Sequence, residues 1–320
     1  MTGAKDYTEP KLYTSNERKT SIGTQILIAV GSATGAFIGD TLTYPFDTMN
    51  TWIKLHTGSQ SKLRLVRENI IHNGPRALFG GLSTQPYCIY LPKIIYFTSY
   101  DYSNKFMRHV LDYFNTPSLI PFIPSLTATF SEALGLTVMV PMDGLRTRMQ
   151  SGDYKYKSVL SGLQETIKNE GLLRLYQASP LYFTYFLIFN TLLFQTYEIF
   201  RIREKNELKR KYLQNHEELD LEAEHQFNLL STVKHAVMAT TLAAAATNPI
   251  DLVITRYQVV DKSEQKLSIF EVVRSTVRKE GVRTLNRGIL LKICYTNLAT
   301  IITLPIYEYL RQTYGYDFSD

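Results

Sequence analysis

Cysteine is scarce in this chain, with two residues in 320. Cys88 and Cys294 both fall inside apolar stretches, which excludes a disulfide framework and leaves buried free thiols as the expectation. The six histidines show no metal-ligand spacing, and no glycine-rich phosphate loop is present, so no enzyme, metal or cofactor constellation is expected. Aromatic residues interleaved with basic ones, as on RNA-binding surfaces, are also missing, and the net charge of +6 therefore does not point to nucleic acid. Residues 1–22 form a polar tail that mixes Asp6, Glu9 and Glu17 with Lys5, Lys11, Arg18 and Lys19. Neither a secretory signal nor an acid-poor transit peptide reads this way, so any targeting information is expected within the chain.

What is present is length and periodicity. Apolar stretches recur near residues 24–44, 86–100, 118–140, 178–200, 231–250 and 288–306. Each is close to the roughly 20 residues that a spanning helix needs. Positive charge gathers in the links after the first, third and fifth stretches: Lys54, Lys62, Arg64 and Arg67; Arg146, Arg148, Lys155 and Lys157; Arg256, Lys262, Lys266, Arg274 and Arg278. Such an excess on alternate links fixes the orientation of a membrane protein and sets those links against anionic headgroups.

The chain also repeats itself. Pro45-Phe46-Asp47, Pro141-Met142-Asp143 and Pro249-Ile250-Asp251 each close an apolar stretch, and Asn73-Gly74, Glu170-Gly171 and Glu280-Gly281 follow at matching distances. Tyr100-Asp101, Tyr197-Glu198 and Tyr307-Glu308 form a third mark. A proline inside a spanning helix removes a backbone hydrogen bond and kinks the helix, so the three aspartates are expected to converge. Gly31, Gly35 and Gly39 offer one smooth helical face for close approach, and Ala243 to Ala246 a similar one. Val159, Leu160, Leu163 and Ile167 before Gly171 predict a short amphipathic surface helix. Leu63, Val66 and Ile70 before Gly74, and Phe270, Val273 and Val277 before Gly281, repeat that pattern.

This ordered triplication resembles the signature of the mitochondrial carrier family, Pro-x-Asp/Glu-x-x-Lys/Arg-x-Lys/Arg followed by a Glu-Gly element, from about residue 23 to the end. The resemblance implies an all-α membrane protein of six transmembrane helices in three tandem helix-pair repeats with pseudo-threefold symmetry. The repeats would cover residues 23–112, 113–211 and 212–320, in the mitochondrial inner membrane with both termini on the intermembrane-space side. Cardiolipin is implied beside the surface helices.

In the family, the aspartate of each odd-numbered helix pairs with a cation of another to close the matrix side. Taking the pairing from the third repeat toward the first, Asp251 would meet Arg146, Asp143 would meet Asn50 through a hydrogen bond at best, and Asp47 would face Ile254. One ion pair of three is then expected, with Gln150 and Gln258 as braces beneath the ring. The outer gate implied by the third mark comprises Asp101 and Lys105, Glu198 and Arg201, and Glu308 and Arg311, with Asp101 one residue out of register.

Solute contact points implied by the family fall near Cys88 or Ile89, at Tyr185 and Phe186, and at Thr296. None is a cation, whereas carriers of nucleotides or of di- and tricarboxylates are expected to place Arg or Lys there. Four ionisable residues, Asp40, Lys93, Glu132 and Lys292, lie at membrane depth and are further candidates. They either pair as static plugs, Lys93 and Lys292 with Glu132 and Asp40, or contact a small zwitterionic or cationic solute such as an amino acid. A charged insertion at about 201–228 reads as a solvated spur on the fourth spanning helix, or as a docking surface. Two functions stay open: alternating-access transport of a small solute, or a carrier-fold subunit without transport in a large inner-membrane assembly such as a respiratory chain complex.

Overall fold

The computed structural model describes residues 22–58, 60–113, 122–154, 156–215, 229–259 and 268–314. These form ten α-helices: α1 (Ile22–Leu55), α2 (Lys62–Asn73), α3 (Gln85–Tyr113), α4 (Ile123–Ser151), α5 (Val159–Glu170), α6 (Leu172–Tyr176), α7 (Ser179–Asn215), α8 (Leu229–Val259), α9 (Ile269–Glu280) and α10 (Ile289–Tyr314). The six long ones, α1, α3, α4, α7, α8 and α10, coincide with the six apolar stretches, and each packs on the next to close a ring from α10 back to α1. Among the described residues, three segments, Ile123–Ser151, Leu230–Val259 and Val282–Ile306, are long and apolar enough to cross a membrane by length and composition alone.

Polarity is distributed inside out. Large apolar side chains such as Leu42, Leu91, Phe130, Leu242 and Ile301 face outward, whereas Thr48, Asn50, Lys54, Gln85, Ser131 and Lys292 are buried between the helices. In water this would be unfavourable; against lipid it is the expected solution, because hydrocarbon covers the outside and polar groups find partners inside. Where α1 meets α10 the fit depends on glycine. A Cβ on Gly39 would stand 2.9 Å from Thr303 Oγ1 and 3.2 Å from the Ala299 carbonyl, and one on Gly35 would stand 3.1 Å from Ile306.

The short surface helices form where their caps dictate. Ser158 accepts from the Ser161 N–H at 3.1 Å while Ser161 Oγ accepts from the Ser158 N–H, and Ser268 and Glu271 repeat that reciprocal arrangement at α9. Gly171 and Gly281 end α5 and α9 at φ of 88° and 82°, a region that favours glycine. These helices leave Leu63, Leu160 and Phe270 largely exposed on the outer surface. Each of α5 and α9 is pinned to a long helix by a buried bidentate pair, Arg148 with Glu170 (2.9 and 2.8 Å) and Arg256 with Glu280 (2.6 and 3.1 Å). Repeat 1 lacks both members of that pair, having Trp52 and Asn73 in their places.

α7 runs on to Asn215, and Glu204 accepts from Ser231 at 2.6 Å and lies 3.2 Å from His235 Nε2 on α8. The remainder of the predicted spur, residues 216–228, lies outside the described residues.

Candidate functional site

The ends of α1, α4 and α8 that carry Asp47, Asp143 and Asp251 meet at the lower end of the bundle. Seven residues after each aspartate, a side chain reaches the aspartate of a neighbouring repeat: Gln150 Nε2 donates to Asp47 (3.0 Å), Gln258 Nε2 to Asp143 (3.4 Å) and Lys54 Nζ to Asp251 (2.5 Å). Five residues after each aspartate, an N–H reaches a backbone carbonyl of the neighbour: Trp52 Nε1 donates to Gln150 (2.7 Å), Arg148 Nε to Gln258 (3.0 Å) and Arg256 Nε to Lys54 (2.9 Å). The same pair of bonds therefore links α1 to α4, α4 to α8 and α8 to α1. Threefold order survives in the hydrogen bonds although lysine replaces glutamine once and tryptophan replaces arginine once; the indole N–H does what the guanidinium Nε–H does elsewhere.

This ring runs in the direction opposite to the one expected. Asp251 is met by Lys54 rather than Arg146, and Arg146 instead lies 2.7 Å from Asp143 on its own helix and 3.8 Å from Asp47. Asn50 does not reach Asp143: with its amide nitrogen toward Gly288 it donates to that carbonyl at 2.9 Å and accepts from Lys54 Nζ at 3.2 Å. Ile254 does not face Asp47 but packs in an apolar cluster with Leu136, Val140, Tyr182 and Tyr257. The physical reason is rotational phase. Spacing gives the angle of Asp47 about its own helix axis, but not which neighbour occupies that flank. Instead of one ion pair, Asp251 holds two cations and Arg146 serves two acids. The expected braces do contact the ring, since Gln150 and Gln258 are among its donors.

A second set of ring contacts comes from the even helices, at the position twelve residues beyond Asn73, Glu170 and Glu280. Gln85 Oε1 accepts from Arg146 Nη1 (3.3 Å), Tyr182 Oη donates to Asp143, and Lys292 Nζ lies 3.0 Å from Asp251. Gln85 and Tyr182 were not anticipated; the shared spacing from the Glu-Gly mark is the signal that locates them. Lys292 is 1% exposed, also donates to Thr247 (3.3 Å), and stands over the Tyr185 ring at 4.8 Å.

Above the ring, Lys93 and Glu132 form the expected pair across α3 and α4, 3.8 Å apart. Lys292 does not pair with Asp40, because Asp251 holds it. Asp40 consequently carries no ion pair or side-chain hydrogen bond on its carboxylate among the described residues, with Arg146, Asp47 and Lys93 as the charges acting on it. Of the contact candidates, Tyr185 packs edge-on to Phe186 and against Lys292, Thr296 Oγ1 is tied back to the Lys292 carbonyl (2.7 Å), and Ile89 is buried.

At the outer end, Glu198 and Arg201 lie 3.4 Å apart along the same helix, both substantially exposed, and Lys105 is exposed on α3. The side chains of Asp101, Glu308 and Arg311 lie outside the described residues.

Comparison with known sequences meets this geometry at the same three segments. The family described as "Mitochondrial carrier protein" matches residues 23–111, 120–206 and 225–318. The chain is 26% identical over 307 residues to the mitochondrial substrate carrier family protein J of Dictyostelium discoideum, covering 85% of this chain and 87% of that one. It is 24% identical to the human mitochondrial adenyl nucleotide antiporter, covering 96% of this chain but 62% of that longer protein. To the human mitochondrial glutathione transporter it is 23% identical, over 81% of this chain and 73% of that one.

Proposed function

The chain belongs to the mitochondrial carrier family, and on that premise we propose that it carries a small zwitterionic solute across the mitochondrial inner membrane by alternating access. In this reading six spanning helices rock about the bundle axis, with both termini on the intermembrane-space side, and the ring at Asp47, Asp143 and Asp251 is the matrix gate. The side chains at Lys105, Glu198 and Arg201, with Asp101, Glu308 and Arg311, make the opposing outer gate. The exposed apolar residues of α2, α5 and α9 lie on the headgroups, where cardiolipin is the expected lipid. No catalytic step is assigned.

The uneven distribution of charge around the ring carries the choice of solute. On one side Asp251 holds Lys54 and Lys292, leaving an excess of positive charge. On the other, Asp47 and Asp143 share Arg146, and Asp40 stands unpaired about two turns above Asp47, leaving an excess of negative charge. A solute bearing an ammonium and a carboxylate matches both sides at once, whereas a nucleotide's charge is of one sign. Of the solutes named for the relatives, glutathione carries both groups and adenyl nucleotides do not. Tyr185, Phe186, Ile89 and Thr296 supply the uncharged wall between.

The reading as a subunit without transport rested on a damaged matrix gate, on uncharged contact points and on the charged insertion. The hydrogen-bonded ring speaks against the first of these, and nothing in the fold or the relatives supports that reading.

The test is exchange in liposomes made with cardiolipin, loaded with a panel of neutral amino acids and glutathione, alongside ATP and malate. Uptake of a zwitterion that exceeds that of ATP and malate, and falls at least tenfold in Asp40→Asn, is the expected result. Exchange of ATP or malate in preference to every zwitterion would overturn the assignment.

A further inference from the structure

Asp251 is the one ring carboxylate held by two lysines, and the two come from different repeats. Lys54 stands on α1, in repeat 1; Lys292 stands on α10, which is paired with α8 within repeat 3. α8 and α10 are tied together near the ring by Asn248, which donates to the Leu285 and Arg287 carbonyls at 3.0 and 3.2 Å, and by Glu280, which takes Arg256 from α8 and Arg287 from the segment leading into α10. Lys292 therefore belongs mechanically with Asp251, and Lys54 does not.

Repeat 2 has a resident cation of another kind. There Arg146, three residues after Asp143 on the same helix, lies 2.7 Å from its aspartate, a contact in which α8 takes no part. The corresponding residue of repeat 3 is Ile254, buried in an apolar cluster, so α8 offers Asp251 no cation of its own at that position. The charge missing there is supplied from α10, at the position where repeat 2 has Tyr182. The cation has changed helix but remained within its repeat.

We propose that Lys292 is the resident counter-ion of Asp251: it stays on that carboxylate when α1 leaves α8, and so sets how readily the matrix gate opens. This rests on the alternating-access reading. Opening strips Lys54 from Asp251. A carboxylate left in a weakly polar interior without a cation is strongly unfavourable, and Lys292 prevents that state from arising. Because Asp251 has Lys54 as well as Lys292 in the closed ring but Lys292 alone once α1 has left, losing Lys292 penalises the open state more than the closed one, which makes it a positioning residue.

The experiment reads gate opening without any solute. Cys88 lies three residues after Gln85 and thus on the same face of α3, close above the ring, and is half-buried. In a Cys294→Ser background reconstituted into liposomes, a membrane-impermeant methanethiosulfonate applied from the matrix-facing side labels Cys88 only when the gate opens. Lys292→Met is expected to slow labelling about tenfold or more, Lys292→Arg to restore it, and the pair Asp251→Asn with Lys292→Met to restore it as well, since no bare carboxylate then remains. Where an amino acid is transported, the same variants are expected to change kcat with little change in KM.

Labelling that is unaffected by Lys292→Met, or slowed and not rescued by Asp251→Asn, would overturn the proposal. A raised KM at constant kcat would also overturn it, by making Lys292 a solute ligand. Labelling slowed by Lys292→Met and restored by the two rescue variants, with no transport of any zwitterion, would leave Lys292 as the counter-ion and defeat the solute assignment alone.

Discussion

Lys54 donates to Asp251 at 2.5 Å from the position that holds glutamine in the other two repeats. A brace has thus become an ion pair, and the link between α8 and α1 differs chemically from the two links it otherwise matches.

That substitution should be reversible at small cost. Lys54→Gln retains a donor aimed at Asp251, while Lys292 still neutralises the carboxylate, so thermal unfolding in detergent is expected to change by less than about 1 kcal/mol. Lys54→Met removes the donor and is expected to cost about 1–3 kcal/mol. Equal losses in the two variants would show that the hydrogen bond is immaterial.

Trp52 and Asn73 should be replaceable only together. Trp52→Arg alone introduces a buried cation without the acid that Arg148 and Arg256 enjoy, at an expected cost of about 3–5 kcal/mol. Adding Asn73→Glu recreates the bidentate clamp of repeats 2 and 3 and should recover most of that loss. A double-mutant cycle on melting temperature measures the coupling, and additive effects would refute it.

The bundle should distinguish two of its glycines. Gly39→Ala places a methyl group 2.9 Å from Thr303 Oγ1 and 3.2 Å from the Ala299 carbonyl, and the backbone atom cannot swing aside. A loss of about 1–3 kcal/mol is expected. At Gly135 the nearest atoms are 3.4 Å away on Pro92, an ordinary contact, so Gly135→Ala should be tolerated. Comparable melting temperatures for the two variants would contradict this packing.

Lys93 and Glu132 should behave as a pair. Glu132→Lys sets two ammonium groups face to face across α3 and α4 and is expected to lower stability by about 1–3 kcal/mol. Combining it with Lys93→Glu should restore most of that stability by reversing the pair. Failure of the combined variant to recover would mean that one member has a different partner in the folded protein.

The sequence made the three aspartates and the glutamine braces legible because proline and aspartate recur at fixed spacing, and a fixed spacing on a helix becomes a fixed place in a symmetric ring. It also located the short helices, whose serine and glycine ends are local signals. The direction of the ring was not legible, since it depends on which flank of α1 is turned to α4. Lys54 looked like one more positive charge of a membrane-proximal link, and Trp52 was assigned no role. Their roles follow from the partner's backbone, which has no sequence signature. Lys292 stood out as an ionisable residue at membrane depth, but spacing along α10 said nothing of Asp251 on another helix.

Trp52 is the only tryptophan in the chain, 5% exposed, and its indole nitrogen is engaged by Gln150 across the α1–α4 seam. The protein thus contains its own optical reporter, with no competing emitter of the same kind. Parting of that seam would release the indole into a wetter setting and shift its fluorescence toward longer wavelength, so a spectrometer alone could follow the cycle in unlabelled protein.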